Sequence, residues 1–481
     1  MTNPGVKALS PQPTAPARLE PDAIGMAQDT VIGMASSAPA ATAGLTLAAL
    51  AAASAYGAGA VLVLTAIPML IIANSYRKLN QWNANCGASF EWVGRAINPY
   101  LGYITGWLML TYYIIGGVAL IVPLGPSVLQ ALDVSTTNTW SNLGITAAVI
   151  LIMLVIAVMG IRLTARTQIV MAAVEYTILV GLAIAGLIFV LNGHHPGIVH
   201  FGTAWLKPTG IGGQGSFSGA FLISAFVIAG WDGTMYVNEE VRHRRVAPGR
   251  AAIWAAALLA VLYTLIQVGL QGTVSPKNLQ LHSTSVLVYT VQAFGGTGWG
   301  RVMAIAIALS VIATTGVGIV LTARIMYGMA TWRALPPFLA NVSPRRNTPV
   351  AASTLTGALL LALIAAYLIG TSLQNAFEDL LLISSWLTVG FYMLTALAMT
   401  TYYRRQVFAR FQTALTVGLL PLASVVFLGW VLERSIQAAP LAQKWSLVGL
   451  LAVGVALMFT ARFVWKSSFF SLSRESEASG D

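Results

Sequence analysis

Apolar runs of about twenty residues, separated by short polar segments, are the feature that most limits what this chain can form. A bilayer hydrocarbon core about 30 Å thick requires about 20 apolar residues per helical crossing, and runs of that length fill residues 31–466. The 481-residue chain is 57% hydrophobic and only 9% charged, whereas an ordinary soluble protein carries about 25% charged residues. The sequence therefore predicts an all-α integral membrane protein.

Charged and Gly/Pro-rich segments between these runs predict twelve transmembrane helices. They lie near 31–55, 59–80, 97–131, 141–159, 164–192, 217–240, 250–272, 299–332, 349–370, 373–402, 411–433 and 444–466. A short surface helix is expected at 286–294. Residues 1–25 are expected to form a disordered cytoplasmic tail without a cleaved signal peptide, and residues 467–481 a second cytoplasmic tail.

The basic residues predict how these helices are oriented. With a cytoplasmic amino terminus, all but five of the 26 Lys and Arg residues fall on cytoplasmic segments, as the positive-inside rule requires. The five are Lys207, Lys277, Arg301, Arg434 and Lys444. We therefore expect both termini in the cytoplasm and a bacterial-type cytoplasmic (inner) membrane location. The cluster at 242–245 is an orientation signal or a contact for anionic membrane lipids, and nucleic acid is not an expected partner.

The placement of reactive side chains argues against catalysis. The single cysteine, Cys86, cannot form an intrachain disulfide, and all five histidines fall in predicted loops. The sequence has no catalytic His motif, metal-binding motif or phosphate-binding glycine loop, so neither an enzyme nor a cofactor is expected. A channel, the alternative from a different class, would need a continuous polar pore lining or a repeated filter, and neither pattern is visible.

Two predicted helices carry sequences that interrupt a helix in mid-membrane. The first contains Pro39 within a Ser/Ala/Thr-rich stretch, 36–44, and proline removes a helical hydrogen bond. The sixth, five helices later, contains two glycines and a carboxylate at 229–234. Interrupted helices at matching positions of two halves indicate an inverted-repeat transporter with a midplane site. The alternative is ordinary close packing by small residues.

Two acids lie inside predicted spans, where a carboxylate is costly and indicates a functional site. Asp232 either pairs with a cationic group of a substrate or accepts hydrogen bonds from nearby backbone N–H groups and fixes the break. Glu175 has no partner nearby in sequence. Desolvation favours its neutral form, which suits a proton carrier; the alternative is a structural, hydrogen-bonded glutamate.

Other polar residues have two interpretations each. Thr314 and Thr315 supply hard oxygen atoms that suit sodium, or they return their hydroxyls to the preceding turn and bind no ion. Tyr112 lines a pocket or serves packing. Only one of Tyr112 and Tyr113 is expected to face inward, because consecutive helical side chains point about 100° apart. The acids at 239–240 lie close to the arginines at 242–245 and are expected to form gate or loop ion pairs rather than to contact substrate.

Three stretches carry a family resemblance over residues 25–350. One is the sequence at 230–240, from Gly-Trp-Asp-Gly to the paired glutamates, with the Pro-Gly-Arg-Ala that follows at 248–251. The second comprises Thr314-Thr315, Thr322-Ala323-Arg324 and Ala334-Leu335-Pro336. The third comprises Leu79-Asn80, 87–93 and 102–107. These stretches resemble the amino acid-polyamine-organocation family of permeases.

The resemblance implies a leucine-transporter-like 5+5 inverted repeat, formed by 26–192 and 217–402, plus two peripheral helices in 403–466. It implies alternating-access transport of a small amino acid or amine, coupled to protons or sodium or working as an exchanger, in a monomer or homodimer. A lysine stands near the position of Glu175 in sodium-independent members of the family.

The resemblance also implies a substrate site at the two breaks. The first break would hold the substrate carboxylate, at Ser36, Ser37, Ala38 or Thr42; Pro39, which lacks an N–H, departs from the family's glycine-rich pattern here. Carbonyls near Phe226, Ile228 and Ala229 would accept hydrogen bonds from the substrate amine. Trp231 would act as a gate or pocket wall.

Overall fold

The computed structural model describes residues 18–135, 138–192, 201–208, 217–282, 286–370, 373–407 and 410–473. The described chain is helical. The helices are α1 (Met26–Ala35), α2 (Pro39–Ser54), α3 (Ala58–Trp82), α4 (Ser89–Ala96), α5 (Pro99–Ile121), α6 (Leu124–Ala131), α7 (Thr139–Met159), α8 (Ile161–Leu191), α9 (Phe217–Ile228), α10 (Ala247–Thr273), α11 (Pro276–Leu281), α12 (Val286–Gly295), α13 (Thr297–Thr331), α14 (Val350–Gly370), α15 (Leu373–Tyr402), α16 (Phe411–Ala438) and α17 (Leu441–Phe463).

Within the described residues, eleven helical stretches are long and apolar enough to cross a membrane. The first, Met26–Trp82, has 57 residues and contains both the first and the second predicted helix, with a single 3₁₀ turn at Ala55–Gly57 before α3. The predicted class, a multi-pass membrane protein, is confirmed. The short helix predicted at 286–294 is present as α12, but it does not lie on the surface as expected, because Val286, Leu287 and Val288 are buried.

Two of the predicted helices are interrupted, one after Ile228 and the other at Pro123. The predicted helix 217–240 is α-helical only to Ile228, after which 3₁₀ turns form at Trp231–Met235 and Asn238–Glu240. The predicted helix 97–131 is divided into α5 and α6 at Pro123, because proline cannot donate the hydrogen bond that would continue α5.

The exposed residues 242–245 mark one end of the bundle, here called the arginine end. Ile24, just before α1, forms a parallel bridge with Val241, and its N–H donates to the Glu240 carbonyl over 3.1 Å. Arg162, at the start of α8, pairs with Glu20 at 2.7 Å. The expectation of a disordered tail therefore does not hold for residues 18–25; residues 1–17 lie outside the described chain.

A buried ion pair joins the end of the sixth-helix region to α13. Arg324 donates to both carboxylate oxygens of Glu240, each over 3.0 Å, and both side chains are fully buried. Glu239 instead accepts a hydrogen bond from the N–H of Cys86. The expected ion pair of Glu240 is therefore present, and a planar guanidinium meets the carboxylate with two parallel bonds. Its partner is Arg324 rather than one of the neighbouring arginines at 242–245.

Glycines bring α8 and α10 into backbone contact. A Cβ atom on Gly186 of α8 would lie 2.8 Å from the Cα of Gly269 in α10. Small residues allow membrane helices to approach this closely. The contact matters for the site because α8 carries Glu175 and α10 carries Tyr263, which are described below.

This packing gives a testable prediction with a control on the same helix. Gly186→Leu should destabilise the fold by about 1–3 kcal/mol, the usual effect of overpacking, because the new side chain meets the backbone of α10. Gly181→Leu is the control, since a Cβ atom there meets nothing within 4 Å. Melting temperatures in detergent should fall for the first variant only. Equal melting temperatures for the two would contradict the close α8–α10 contact.

Candidate functional site

The first predicted break is confirmed between α1 and α2. Residues 36–38 are not helical, and Ala38 adopts a left-handed backbone conformation with φ 48°. The three amides of this segment donate to carbonyls three or four residues earlier. Helix α2 then begins at Pro39, a position where the missing N–H breaks no helical hydrogen bond. The proline thus starts a new helix rather than kinking a continuous one.

The second predicted break is confirmed at Gly230, which has φ 104°. The Ser36 hydroxyl donates to the Gly230 carbonyl, and a Cβ atom on Gly230 would lie only 2.7 Å from the Ser36 Oγ. Glycine is therefore required at this position both by its backbone conformation and by the close approach. The two broken helices meet directly.

Glu175 caps the helix that starts at the first break. The Ala40 N–H donates to the Glu175 Oε1 over 2.9 Å and lies 3.1 Å from the Ser310 Oγ of α13. The Glu175 side chain is buried, and within the described residues it forms no ion pair. A carboxylate at a helix N-terminus is stabilised by the unpaired amides and the helix dipole. Glu175 thus connects α8 to both α2 and α13.

Thr314 and Thr315 differ in what they contact. The Thr314 Oγ1 lies 2.6 Å from the Ala35 carbonyl at the end of α1 and 2.9 Å from the Ser310 carbonyl. The Thr315 hydroxyl donates to the Val311 carbonyl one turn earlier, the arrangement expected of a threonine that binds no ion. Among the described residues, no three His, Cys, Asp or Glu side chains are grouped as metal ligands.

Three tyrosine hydroxyls surround the Asp232 carboxylate. Tyr236 and Tyr113 donate to Oδ2 over 2.6 and 3.3 Å, and Tyr392 donates to Oδ1 over 2.7 Å. Asp232 is fully buried. The sequence-based alternative to a substrate contact was a carboxylate bonded to backbone N–H groups. The structure shows one backbone hydrogen bond, from Asp232 itself, and side-chain donors from three different elements.

Aromatic rings enclose the second break. The Trp231 ring lies 5.1 Å from the rings of both Tyr76 and Tyr392. Tyr112 packs against Phe226 and Phe391. The expectation that only one of Tyr112 and Tyr113 faces inward is wrong, because α5 is enclosed on several sides and both residues are buried.

A small cavity of about 20 Å³ lies beside the first break. A cavity of this size holds about one water molecule, so an amino acid can enter only if side chains move. Of the predicted site residues, Ser36, Tyr112, Thr314 and Thr315 line it. Its other lining residues are Tyr113, Gly116, Gly117, Leu120, Ile121, Gly318 and Leu360.

The other predicted site residues surround the breaks without lining this cavity. The Ser37 Oγ lies 3.2 Å from the Tyr263 hydroxyl of α10, and the Thr42 hydroxyl donates to the Ser37 carbonyl. Three more, Ala38, Ile228 and Ala229, are buried in the core.

Several polar partners were not predicted from the sequence. Tyr236 lies four residues after Asp232, and this spacing on a helical turn was a signal that could have identified it. Tyr263, Ser310 and Tyr392 come from distant parts of the chain. Their sequence positions contain no comparable signal, because only the packing of the helices brings them to the breaks.

Comparison with known proteins gives a family and a fold. The family model of amino acid permeases matches residues 24–460. The human (Homo sapiens) large neutral amino acids transporter small subunit 2 is 22% identical over 302 residues, which cover 61% of this chain and 55% of that protein. The Asc-type amino acid transporter 1 of Mus musculus is 25% identical over 195 residues, which cover 40% and 36% of the two chains.

A solved structure has the same fold. It is a mutant of the manganese transporter from Eremococcus coleocola, with a TM-score of 0.55, 12% identity and coverage of 92% of this chain and 93% of that one. The chain spans about half the length, or less, of the curated relatives it matches. These relatives are transporters rather than enzymes. Because the family model matches nearly the whole sequence, this chain belongs to the amino acid permease family.

Proposed function

We propose that the chain is a secondary active transporter that moves amino acids or related amines across a bacterial-type cytoplasmic (inner) membrane by alternating access. The observation that carries this proposal is the direct contact between two broken helices, at Ser36 and Gly230. Broken backbone at membrane depth is tolerated where it is buried in protein or lines a cavity, and such breaks form the midplane sites of secondary transporters.

The proposed topology has twelve crossings with both termini in the cytoplasm. The 57 residues of Met26–Trp82 would extend about 85 Å as one helix, nearly three times the thickness of a hydrocarbon core of about 30 Å. This length supports two crossings that turn at Ala55–Gly57. The halves 26–192 and 217–402 would then form the 5+5 inverted repeat, with α16 and α17 at its periphery.

The contacts of Asp232 support a zwitterionic substrate over a cationic one. A cationic group of a substrate would need a carboxylate that is not already hydrogen-bonded. The Asp232 carboxylate already accepts three hydrogen bonds from tyrosines. The relative named for large neutral amino acids agrees with this preference, whereas another is named a cationic amino acid transporter. We therefore propose neutral amino acids, held at residues 36–42 and 226–232.

Glu175 supports coupling to protons. Its carboxylate already occupies the N-terminus of α2, where the helix dipole would attract a substrate carboxylate. A second carboxylate entering beside it is repelled while Glu175 is charged, and protonation removes that repulsion. In this mechanism the proton binds first, the substrate binds next, and both leave together on the other side.

The coupling proposal predicts the behaviour of Glu175→Gln. The amide oxygen still accepts the Ala40 N–H, so the fold should be kept, but the side chain can no longer carry a proton. Uptake by the wild type should rise as the pH on the uptake side falls, whereas the variant should lose pH-driven accumulation and keep counterflow exchange. Both rates are measured with labelled amino acid in proteoliposomes.

The same assay distinguishes the alternatives. A Glu175→Gln variant that still concentrates substrate with a proton gradient removes Glu175 from the mechanism. Uptake that requires sodium instead of protons would assign coupling to Thr314 and the Ala35 carbonyl, which lie 2.6 Å apart. Uptake that depends only on internal substrate identifies an exchanger, and absence of acceleration by unlabelled substrate on the opposite side identifies a channel.

The three tyrosine hydroxyls that donate to the Asp232 carboxylate give a prediction for Asp232→Asn. An amide offers fewer acceptor sites to the three hydroxyls, and leaving a buried donor unpaired costs about 1–3 kcal/mol. The melting temperature should fall, and transport of neutral and cationic amino acids should decrease by the same factor. Tyr392→Phe is the matched control, because it removes one donor and leaves the carboxylate.

This interpretation is contradicted if Asp232→Asn affects the transport of one class of substrate more than that of the other. A larger loss for cationic than for neutral substrates in Asp232→Asn, with an unchanged melting temperature, would show that the carboxylate binds the substrate directly.

A further inference from the structure

Three polar side chains form a ladder along one face of α10. Tyr263, Gln267 and Gln271 are spaced four residues apart, which places them on the same side of the helix, and all three are buried. The ladder begins at the first break, where the Tyr263 hydroxyl lies within hydrogen-bond distance of the Ser37 Oγ. It ends at Gln271, which donates to the Ala55 carbonyl just after α2.

The ladder is nearly as long as half the thickness of the bilayer hydrocarbon core. Its first and last residues are eight positions apart in the helix, which corresponds to about 12 Å, close to half of a hydrocarbon core of about 30 Å. Because α10 starts at the arginine end, the ladder runs from the level of the breaks towards the opposite surface.

Polar atoms of this region lack protein partners. The Gln267 Oε1 and Nε2, the Gln271 Oε1 and the Ser54 Oγ are buried without a hydrogen bond to any described residue, and so is the hydroxyl of Tyr176, which follows Glu175 in sequence. Buried polar side chains nearly always have a partner, which is protein or ordered water. Groups in a membrane interior without one are costly, so these five atoms indicate ligands that are themselves polar and small.

The ladder leads to Glu175. Tyr176 is its neighbour in sequence, and Tyr263 contacts Ser37, three residues before the Ala40 N–H that donates to Glu175. Tyr176 and Tyr263 are the titratable groups near the Glu175 carboxylate, whose own contacts are the Ala40 N–H and the Ser310 hydroxyl. Hydroxyl and amide groups are therefore spaced along α10 from the level of Glu175 to the end of α2.

We propose that the α10 ladder of Tyr263, Gln267 and Gln271 binds a file of water molecules that carries protons between Glu175 and the surface opposite the arginine end. Amide and hydroxyl groups both donate to and accept from water, so they can order such a file without being charged. A hydronium ion in the file donates its proton to the Glu175 carboxylate, which gives a neutral carboxyl group and water; the reverse step releases the proton. This inference rests on the proposed coupling role of Glu175.

Cysteine labelling tests the water file without a transport assay. Gln267→Cys should react with a small, charged methanethiosulfonate reagent applied at the surface opposite the arginine end, at least ten times faster than Ile266→Cys. Ile266 is the matched control because it is buried at the same depth but on a neighbouring face. Both are made in a Cys86→Ser background; the native Cys86 is buried, and burial raises the pKa of its thiol. Equal labelling rates at positions 266 and 267 would overturn the proposal.

Transport by Gln267→Leu tests whether the file carries protons. The variant should reduce proton-driven uptake at least tenfold relative to its own counterflow rate, because exchange moves substrate without releasing the proton. Gln267→Asn, which keeps an amide, should restore most of that ratio. Gln168→Leu is the control, since Gln168 is a buried glutamine in α8 on the arginine side of Glu175; any loss there should affect both rates equally.

Failure of this inference and failure of the proposed coupling are distinguishable. If Glu175→Gln abolishes proton-driven uptake while Gln267→Leu leaves the ratio unchanged, coupling stands and the water file is wrong. If Gln267→Leu lowers proton-driven uptake and counterflow by the same factor, the ladder serves only the fold and the proposal is likewise wrong.

Discussion

The contact between the Ser36 hydroxyl and the Gly230 carbonyl determines where the rest of the site lies. It forms only because both helices are unwound at the same depth: Ala38 and Gly230 adopt left-handed conformations, and the bare backbone of one break reaches the other. Once the breaks meet, α2 starts beside α8, and its first free amide is within reach of Glu175. A continuous first helix would leave no helix N-terminus at this depth and no reason for a buried carboxylate there.

Two buried acids near the breaks have different surroundings, and this difference supports the different roles proposed for them. Asp232 accepts hydrogen bonds from three tyrosines, so both of its carboxylate oxygens are engaged and it links α5, α15 and the second break. Glu175 receives one backbone N–H beside a serine hydroxyl, and polar groups without protein partners lie close by. A group with few fixed partners and a polar path beside it can change its protonation state at lower cost than one enclosed by donors.

The sequence was informative where the physical signal is local. Hydrophobic run length predicted the membrane class, Pro39 and the two glycines of the second break predicted both interruptions, and the isolated carboxylate of Glu175 identified it as a group to examine. The sequence failed where the partner is remote. Glu240 pairs with Arg324, 84 residues away, rather than with the adjacent arginines, and Tyr392 reaches Asp232 from a helix 160 residues later. Such pairs depend on helix packing, which a single sequence does not contain.

The most direct test of this account is an experimental structure with a bound amino acid, chosen as the compound that most raises the melting temperature of the purified protein. The account predicts ligand density between residues 36–42 and 226–232, with the ligand carboxylate towards the start of α2 and neighbouring side chains displaced to enlarge the cavity. Density at a site away from both breaks, or helices that run unbroken through Ser36 and Gly230, would contradict it.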